Sequence, residues 1–167
     1  MRAVIVSGEL VQDQELIYPL YRLKEAGYVT ALSTQDGKPF KGIAGVKFEP
    51  TMGSYELEVE DFDLVVIPGG VKAMEHMRLD ERLVEFIKSS YMAGKRIAAI
   101  CSGTQMLISA GLCKGLHITG YPAIKVDIEN AGGIYVDMPA VVDSRIITSP
   151  HYRYLGEWMT ATLMAMV

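Results

Sequence analysis

The sequence contains few of the residues that bind metals or polyanions. Its 167 residues include three histidines and two cysteines. No Cys-x-x-Cys motif and no histidine pair at ligand spacing occurs, which argues against a metal site. The net charge is −4, and like charges do not cluster, so we expect no nucleic-acid partner. No glycine-rich phosphate-binding motif is present. We therefore expect neither a metal nor another cofactor.

Long apolar runs are also missing. No segment approaches the length of a membrane span, and the chain opens almost directly into "AVIVSG" without a signal-peptide pattern. We therefore expect a cytoplasmic protein with no membrane partner. Half of the residues are hydrophobic and 22% are charged, which is ordinary for a globular protein. The length predicts a single domain over residues 1–167.

The two cysteines, Cys101 and Cys113, are not expected to form a disulfide. If the segment between them is helical, its rise alone separates them by roughly 15 Å, whereas a bridge needs Cα atoms within about 7 Å. Each thiol therefore needs its own explanation. Cys113 follows Gly111-Leu112 in a predicted helix-to-strand turn, and packing is the better interpretation of its role.

Short apolar runs alternate with amphipathic helical patterns, which predicts an open, mostly parallel α/β sheet with helices on both faces. In the first helix, "DQELIYPLYRLKEAG", Pro19 is expected to kink the helix or shift its start. Residues 43–51 predict a short hairpin arm or an extra strand. The other predicted elements are strands at Arg2–Ser7, Tyr28–Ser33, Leu64–Ile67 and Arg96–Ile100, a helix with Asp80 as N-cap, a helix ending at Ala110, a strand in "HITGYP", a short helix Ala123–Ala131, a β pair in "AVVDSRIITS" and a C-terminal helix.

A cysteine stands at one strand-to-helix join, where ligands of such sheets usually bind. Residues 99–103, Ala-Ile-Cys-Ser-Gly, have the form small-x-nucleophile-x-small, the thiol counterpart of the Gly-x-Ser-x-Gly elbow. A helix N-terminus favours a thiolate. The pattern therefore predicts that Cys101 is exposed and activated. The alternative is a small buried residue, because cysteine often packs as one.

Several segments together resemble the PfpI/ThiJ family of the class I glutamine-amidotransferase-like superfamily. These segments are "AICSGTQMLISAGL", "QELIYPLYRLKEAG", "FDLVVIPGG" and "GYPAIKVDIENAGG", and the resemblance extends over nearly the whole chain. It implies a flavodoxin-like three-layer sandwich with a nucleophile elbow that assembles as a homodimer or larger homo-oligomer. Members of this family are described as intracellular proteases, glyoxalases or deglycases.

The resemblance assigns roles to individual residues. It implies that Cys101 is the reactive cysteine and that Glu15, in protonated form, hydrogen-bonds the sulfur, which burial would favour by raising the carboxyl pKa. The backbone amides of Gly69 and Gly70 are expected to form an oxyanion hole. Taken alone, Glu15 would be interpreted as a solvated helix residue and the two glycines as a tight turn.

The chain also departs from the family pattern. Peptidase-like members carry histidine directly after the nucleophile, where this chain has Ser102, so a Cys–His pair at the elbow is not available. Glu75 matches an acidic residue that orients this histidine from a neighbouring subunit, and here it is an interface or surface residue. We hypothesise that His151 supplies the missing imidazole, the alternative being a loop histidine near an interface. Tyr121 is expected to line the site and orient a carbonyl.

Three functions fit these residues. The favoured prediction is a cofactor-independent, cysteine-dependent hydrolase of glyoxalase or deglycase type, acting on a small carbonyl or amide-like adduct. The alternatives are a PfpI-type cysteine peptidase or amidase, and a non-enzymatic redox-sensing or chaperone protein with an oxidisable cysteine. A glutaminase is disfavoured, because the C-terminal His-x-Glu pair of those enzymes is replaced by residues 151–153, His-Tyr-Arg.

Overall fold

Strands and helices alternate along most of the chain in a computed structural model that describes residues 1–167. The strands are β1 (Arg2–Val6), β2 (Val29–Thr34), β3 (Phe40–Lys41), β4 (Lys47–Phe48), β5 (Met52–Gly53), β6 (Leu64–Ile67), β7 (Arg96–Ile100), β8 (His117–Ile118), β9 (Ile134–Tyr135), β10 (Val141–Asp143) and β11 (Ile146–Ser149). The helices are α1 (Asp13–Glu25), α2 (Val71–Met77), α3 (Glu81–Met92), α4 (Gln105–Ser109), α5 (Lys125–Asn130) and α6 (Leu155–Ala165).

Seven strands form the main sheet in the order β10-β11-β7-β6-β1-β2-β5. All neighbours run parallel except β10, which pairs antiparallel with β11. The chain moves outward from β1 to β2 and later returns to β6 on the other side of β1, so the strand order reverses between β1 and β6. In open α/β sheets, ligands bind in the crevice beyond the carboxyl ends of the strands at such a reversal.

The central strands are buried on both faces. Apart from the arginines that open β1 and β7, every residue of β1, β6 and β7 is at most 1% exposed. Parallel strands covered on both sides contain continuous apolar runs, which explains why the predicted strands agree closely with the observed ones. Helices α1 and α6 pack together, while α2, α3 and α4 form a second group. The fold is a flavodoxin-like three-layer sandwich, which confirms the predicted fold class.

Two helices differ from the predictions. Helix α1 begins at Asp13 and continues through Pro19 to Glu25, so the proline does not shift its start. Proline lacks an amide hydrogen, so α1 loses only the bond to the carbonyl four residues earlier. Helix α2 follows directly on Gly70 and was not predicted, because its seven residues are too few for a clear helical period.

Residues 40–53 contain both structures predicted as alternatives for residues 43–51. Strands β3 and β4 form an antiparallel hairpin, held at its base by the stacked rings of Phe40 and Phe48, whose centroids are 5.3 Å apart. Both rings belong to the hydrophobic core. The two residues of β5 then extend the main sheet at its edge, beside β2. The hairpin therefore projects from a buried base.

Candidate active site

Cys101 lies at a sharp turn between β7 and α4. Its φ angle is +59°, a left-handed conformation that residues other than glycine rarely adopt and that recurs at active sites. A short 3₁₀ turn, Cys101–Thr104, leads from the strand into α4. The turn needs glycine at residue 103, since a Cβ atom there would lie 2.5 Å from the Ile67 carbonyl oxygen and 2.8 Å from that of Pro68. The strand-to-helix geometry therefore agrees with the small-x-nucleophile-x-small pattern.

Glu15 brings a buried carboxyl group to Cys101 from the first turn of α1. It is 0% exposed, and its Oε2 accepts a hydrogen bond of 2.7 Å from the Gly69 amide. Gly69 has room for no side chain, because a Cβ atom there would lie 2.5 Å from Glu15 Oε2 and 2.9 Å from Cys101 Cβ. The carboxyl group and the thiol thus meet over the same glycine. The other carboxyl oxygen, Glu15 Oε1, accepts no hydrogen bond from the protein.

Burial controls the protonation of this pair. It raises the pKa of Glu15 from 4.5 to about 8, against the opposing effects of the Gly69 amide and the Cys101 side chain. The carboxyl group is therefore protonated at neutral pH. Burial also raises the pKa of Cys101 to about 12, with a further rise from the Glu15 charge and a partial offset from Ser102. The charge contribution of Glu15 requires an ionised carboxylate, so it acts only above about pH 8.

Burial therefore opposes the thiolate that the sequence predicts at Cys101, and the activated thiol stays a prediction. A thiolate at the Cys101 position would gain from the Ser102 amide that follows it, as the sequence predicts for a helix start. However, the sulfur is largely enclosed by the protein, and desolvation of the charged form outweighs that gain. At rest, the pair consists of a neutral thiol beside a neutral carboxylic acid.

The two amides that are predicted to form an oxyanion hole both have partners within the protein. The Gly69 amide donates to Glu15, and the Gly70 amide donates to Ser102 Oγ at 2.8 Å. Gly70 has a φ angle of +113°, and a Cβ atom there would lie 2.8 Å from the Gln12 nitrogen. Neither amide is free for a substrate oxygen in this structure. The two donors instead fix the acid and the turn after the thiol.

A cavity of about 340 Å³ gives access to these groups. Six of the seven residues predicted for the site line it: Glu15, Gly70, Cys101, Ser102, Tyr121 and His151. Gly69 stands behind them as the donor to Glu15. Sequence reasoning missed five further residues of the lining: Gln12, Ile43, Val71, Lys72 and Tyr152. Val71 and Tyr152 directly follow the predicted site residues Gly70 and His151 in sequence, whereas the long-range placement of Ile43 gave no signal.

His151 reaches the cavity but does not hydrogen-bond Cys101. Its Nδ1 accepts the Arg153 amide hydrogen at 3.2 Å, which leaves the ring proton on Nε2 in the neutral form. Burial, followed by the charge of Arg153, lowers the pKa of His151. The imidazole is therefore neutral and offers a hydrogen-bond donor through Nε2. It does not form the cysteine–imidazole ion pair that a replacement for the family histidine requires.

The remaining candidates have simpler surroundings. The Tyr121 amide donates to the Cys101 carbonyl at 3.1 Å, which ties the following loop to the turn. Glu75 is exposed and pairs with Lys72 at 3.0 Å. No group of three or more His, Cys, Asp or Glu side chains is arranged to hold a metal ion. None of the helices is both long enough and apolar enough to cross a membrane.

Comparisons with known proteins agree with this architecture. The chain is 40% identical over 159 residues to a Pyrococcus abyssi protein named as a deglycase, covering 95% of both chains. It is 34% identical over 152 residues to Escherichia coli protein/nucleic acid deglycase 2, covering 88% of this chain and 86% of that protein.

A solved structure shares the fold closely. It is a two-domain Anabaena variabilis protein with DJ-1/ThiJ/PfpI-like and ferritin-like domains, at a TM-score of 0.94 and 35% identity. The match covers 98% of this chain and 47% of that protein. The model of the DJ-1/PfpI family matches residues 1–165. The chain therefore belongs to the DJ-1/PfpI family.

Proposed function

We propose that the protein is a cysteine-dependent enzyme of glyoxalase or deglycase type, acting on small reactive carbonyls or their adducts with amines. The observation that carries this proposal is that Cys101 and Glu15 meet over Gly69 at the floor of a small cavity. A cavity of about 340 Å³ is at the lower end of ligand-pocket sizes. The names of the deglycase relatives support the same substrate class.

A neutral thiol and a neutral acid suit addition to a carbonyl. The sulfur forms a bond to the carbonyl carbon, the C=O π bond breaks, and the S–H proton must leave as the oxygen gains one. Glu15 Oε1 has no competing partner, so the carboxyl group is the proton relay between sulfur and oxygen. Protonation of the oxygen removes the need for an oxyanion hole, in keeping with the occupied Gly69 and Gly70 amides.

Later steps need only water. With a 2-oxoaldehyde, hydrogen transfer within the thiol adduct oxidises the aldehyde carbon to a thioester and reduces the neighbouring ketone to an alcohol. Water then cleaves the thioester, which releases a 2-hydroxy acid and restores the thiol. With a hemiaminal adduct, the sulfur instead bonds to the carbon that carries the amine, the C–N bond breaks, and the S–H proton passes to the leaving amine, which gives the same thiol adduct. No external oxidant or reductant is consumed, and no cofactor is required.

Three other groups contribute in this proposal, two by orienting the substrate and one by acting on the thiol. The His151 Nε2 hydrogen and the Tyr121 hydroxyl are donors for carbonyl oxygens at the cavity wall. Ser102, held by the Gly70 amide, stabilises negative charge on Cys101, since it lowers the pKa of that thiol. If His151→Ala leaves turnover intact, the role of His151 is wrong.

The alternatives receive less support. General peptide hydrolysis needs an imidazole to protonate the leaving amine, and His151 makes no bond to the thiol. Rapid oxidation by peroxide needs a thiolate, whereas burial keeps Cys101 protonated. We also expect a cytoplasmic homodimer or larger homo-oligomer, as the family resemblance implies, which light scattering would test.

Turnover of methylglyoxal tests the proposal. We expect saturable loss of the aldehyde and formation of lactate by the wild type and by Cys113→Ala. For Cys101→Ala we expect a loss of about 10³-fold or more, because the nucleophile is removed. Activity of Cys101→Ala at the wild-type level would exclude the cysteine mechanism. An inactive wild type would exclude this substrate class.

A further inference from the structure

The tip of the β3–β4 hairpin, residues 42–46, forms part of the cavity wall. Ile43 is the one hairpin residue among the lining residues, and it is 56% exposed. The base of the hairpin is fixed by the buried Phe40–Phe48 pair, but that pair lies outside the tip. The tip therefore needs an anchor of its own to hold Ile43 beside the site.

Asp13 supplies this anchor from the first turn of α1. Its carboxyl group is buried, and it accepts the amide hydrogens of Ala44 at 2.7 Å and Val46 at 3.1 Å. A carboxylate that accepts two amides binds them strongly and in a fixed direction. Gly42 completes the fit, because a side chain there would collide with the Asp13 carboxyl group.

Backbone hydrogen bonds join the same tip to the loop that contains Gly69. The Ile43 amide donates to the Val11 carbonyl at 2.9 Å. Gln12, which follows Val11 in the chain, donates its amide hydrogen to the Gly69 carbonyl at 3.1 Å. Gly69 in turn donates to Glu15. The first turn of α1 thus holds the wall through Asp13 and the acid through Glu15, which fixes the distance between them.

We propose that Ile43 is a specificity-determining residue that limits the size of the carbonyl reaching Cys101, and that Asp13 is the positioning residue that holds it there. This inference rests on the proposed function, since it names the size class of substrate that the same site admits. With Ile43 held in this position, the cavity admits a short 2-oxoaldehyde or the carbonyl end of an adduct. It excludes substrates that carry a bulky group next to the carbonyl.

Alkylation of Cys101 tests the wall without requiring turnover. N-methylmaleimide and N-(1-pyrenyl)maleimide share one chemistry and differ in size, so the ratio of their rates at Cys101 measures steric access. We expect Asp13→Asn to raise the bulky-to-small ratio at least fivefold, because the amide group cannot accept both N–H bonds. Asp36→Asn, which changes an exposed carboxylate, is the matched control and should leave the ratio unchanged.

Variants at Ile43 keep the test decisive if Asp13→Asn folds poorly. We expect Ile43→Ala to raise the same ratio and Ile43→Trp to lower it, each with little effect on the small reagent. Ratios within twofold of wild type for Ile43→Ala and Ile43→Trp would overturn the proposal. If Asp13→Asn speeds alkylation of the buried Cys113 in parallel with Cys101, its effect is loss of stability, and the positioning role is overturned.

The same variants separate this inference from the proposed function. With an active enzyme, Ile43→Ala should lower KM for phenylglyoxal more than KM for methylglyoxal. Suppose that the alkylation ratios shift as expected while no variant turns over any 2-oxoaldehyde. That result would overturn the proposed function and support the roles of Ile43 and Asp13 in limiting access. If turnover is normal and the alkylation ratios do not change, the roles of Ile43 and Asp13 are overturned and the proposed function is supported.

Discussion

The two cysteines of this chain experience similar desolvation in very different surroundings. Burial raises the pKa of both thiols, to about 12 for Cys101 and about 11 for Cys113, and both are free. Cys113 is 1% exposed within the hydrophobic core, and desolvation is the sole cause of its shift. Cys101 has a left-handed backbone, a cavity and the neighbouring carboxyl group of Glu15.

If Cys101 is the nucleophile that we propose, resting acidity does not distinguish it from the structural Cys113. By pKa alone, Cys101 would be the less reactive of the two. What distinguishes it is access from solvent and a group that can take its proton at the moment of reaction. The following predictions separate these factors, beginning with the group that Cys113 lacks.

The largest expected effect concerns Glu15 and the stability of the fold. Its pKa in the folded protein, about 8, lies above its ordinary value of 4.5. Between these values the folded state retains a proton that the unfolded state has released, so its contribution to stability is full below pH 4.5 and is lost as the pH rises through 8. We expect roughly 3–4 kcal/mol less stability from this group at pH 8 than at pH 5.

Urea unfolding at the two pH values measures this loss. Glu15→Gln should flatten the dependence, because glutamine does not titrate. Glu49→Gln, at an exposed position, should leave it as in the wild type. An unchanged slope in Glu15→Gln would mean that another group is responsible.

The second effect is a difference in alkylation rate between the two thiols. We expect Cys101 to react with iodoacetamide at least about 100-fold faster than Cys113 in the native protein, since Cys113 must wait for local opening. Both rates should keep rising above pH 9, because both thiols are protonated below it. Peptide mass spectrometry reads the sites separately. A Cys101 midpoint below 8.5 would contradict the neutral resting pair.

The third effect concerns proton transfer. Glu15→Gln keeps the shape and the neutral state but cannot exchange a proton, so we expect kcat for methylglyoxal to fall about 100-fold with little change in KM. Cys113→Ala provides the activity reference. A parallel rise in KM would indicate that Glu15 serves binding rather than the relay.

The smallest effect belongs to Cys113. Its replacement by alanine removes one buried sulfur atom and should cost about 1–2 kcal/mol of unfolding free energy, measured by urea denaturation. Turnover should stay at the wild-type level. A loss of turnover without a loss of stability would show that Cys113 contributes to the site after all.

Much of this architecture follows from local sequence. The apolar runs Leu64–Ile67 and Arg96–Ile100 are strands at the predicted bounds, and Asp80 caps α3 by accepting the Leu83 amide. The small residues around Cys101 indicated its turn, because backbone crowding acts over neighbouring positions. These features depend on a few consecutive residues, and so a single sequence contains them.

The features that the sequence could not predict arise only when distant segments meet. The thiol pKa depends on how completely the fold encloses Cys101, and the glycine amides are occupied by partners 54 and 32 residues away in sequence. Ile43 enters the cavity from a hairpin whose anchor, Asp13, lies about 30 residues earlier. No local pattern reports such placements, because each depends on the packing of the whole sheet and its loops.

The absence of a side chain at residue 103 limits which substitutions this protein tolerates near Cys101. Because the helix start touches the backbone oxygens that end β6, one added methyl group would push the loop containing Gly69 away from the turn. The distance between the Cys101 thiol and the Glu15 carboxyl group is therefore set by contact between main-chain atoms. Substitutions around the cavity mouth can therefore alter which molecules enter, while Cys101 and Glu15 at its floor keep the same separation.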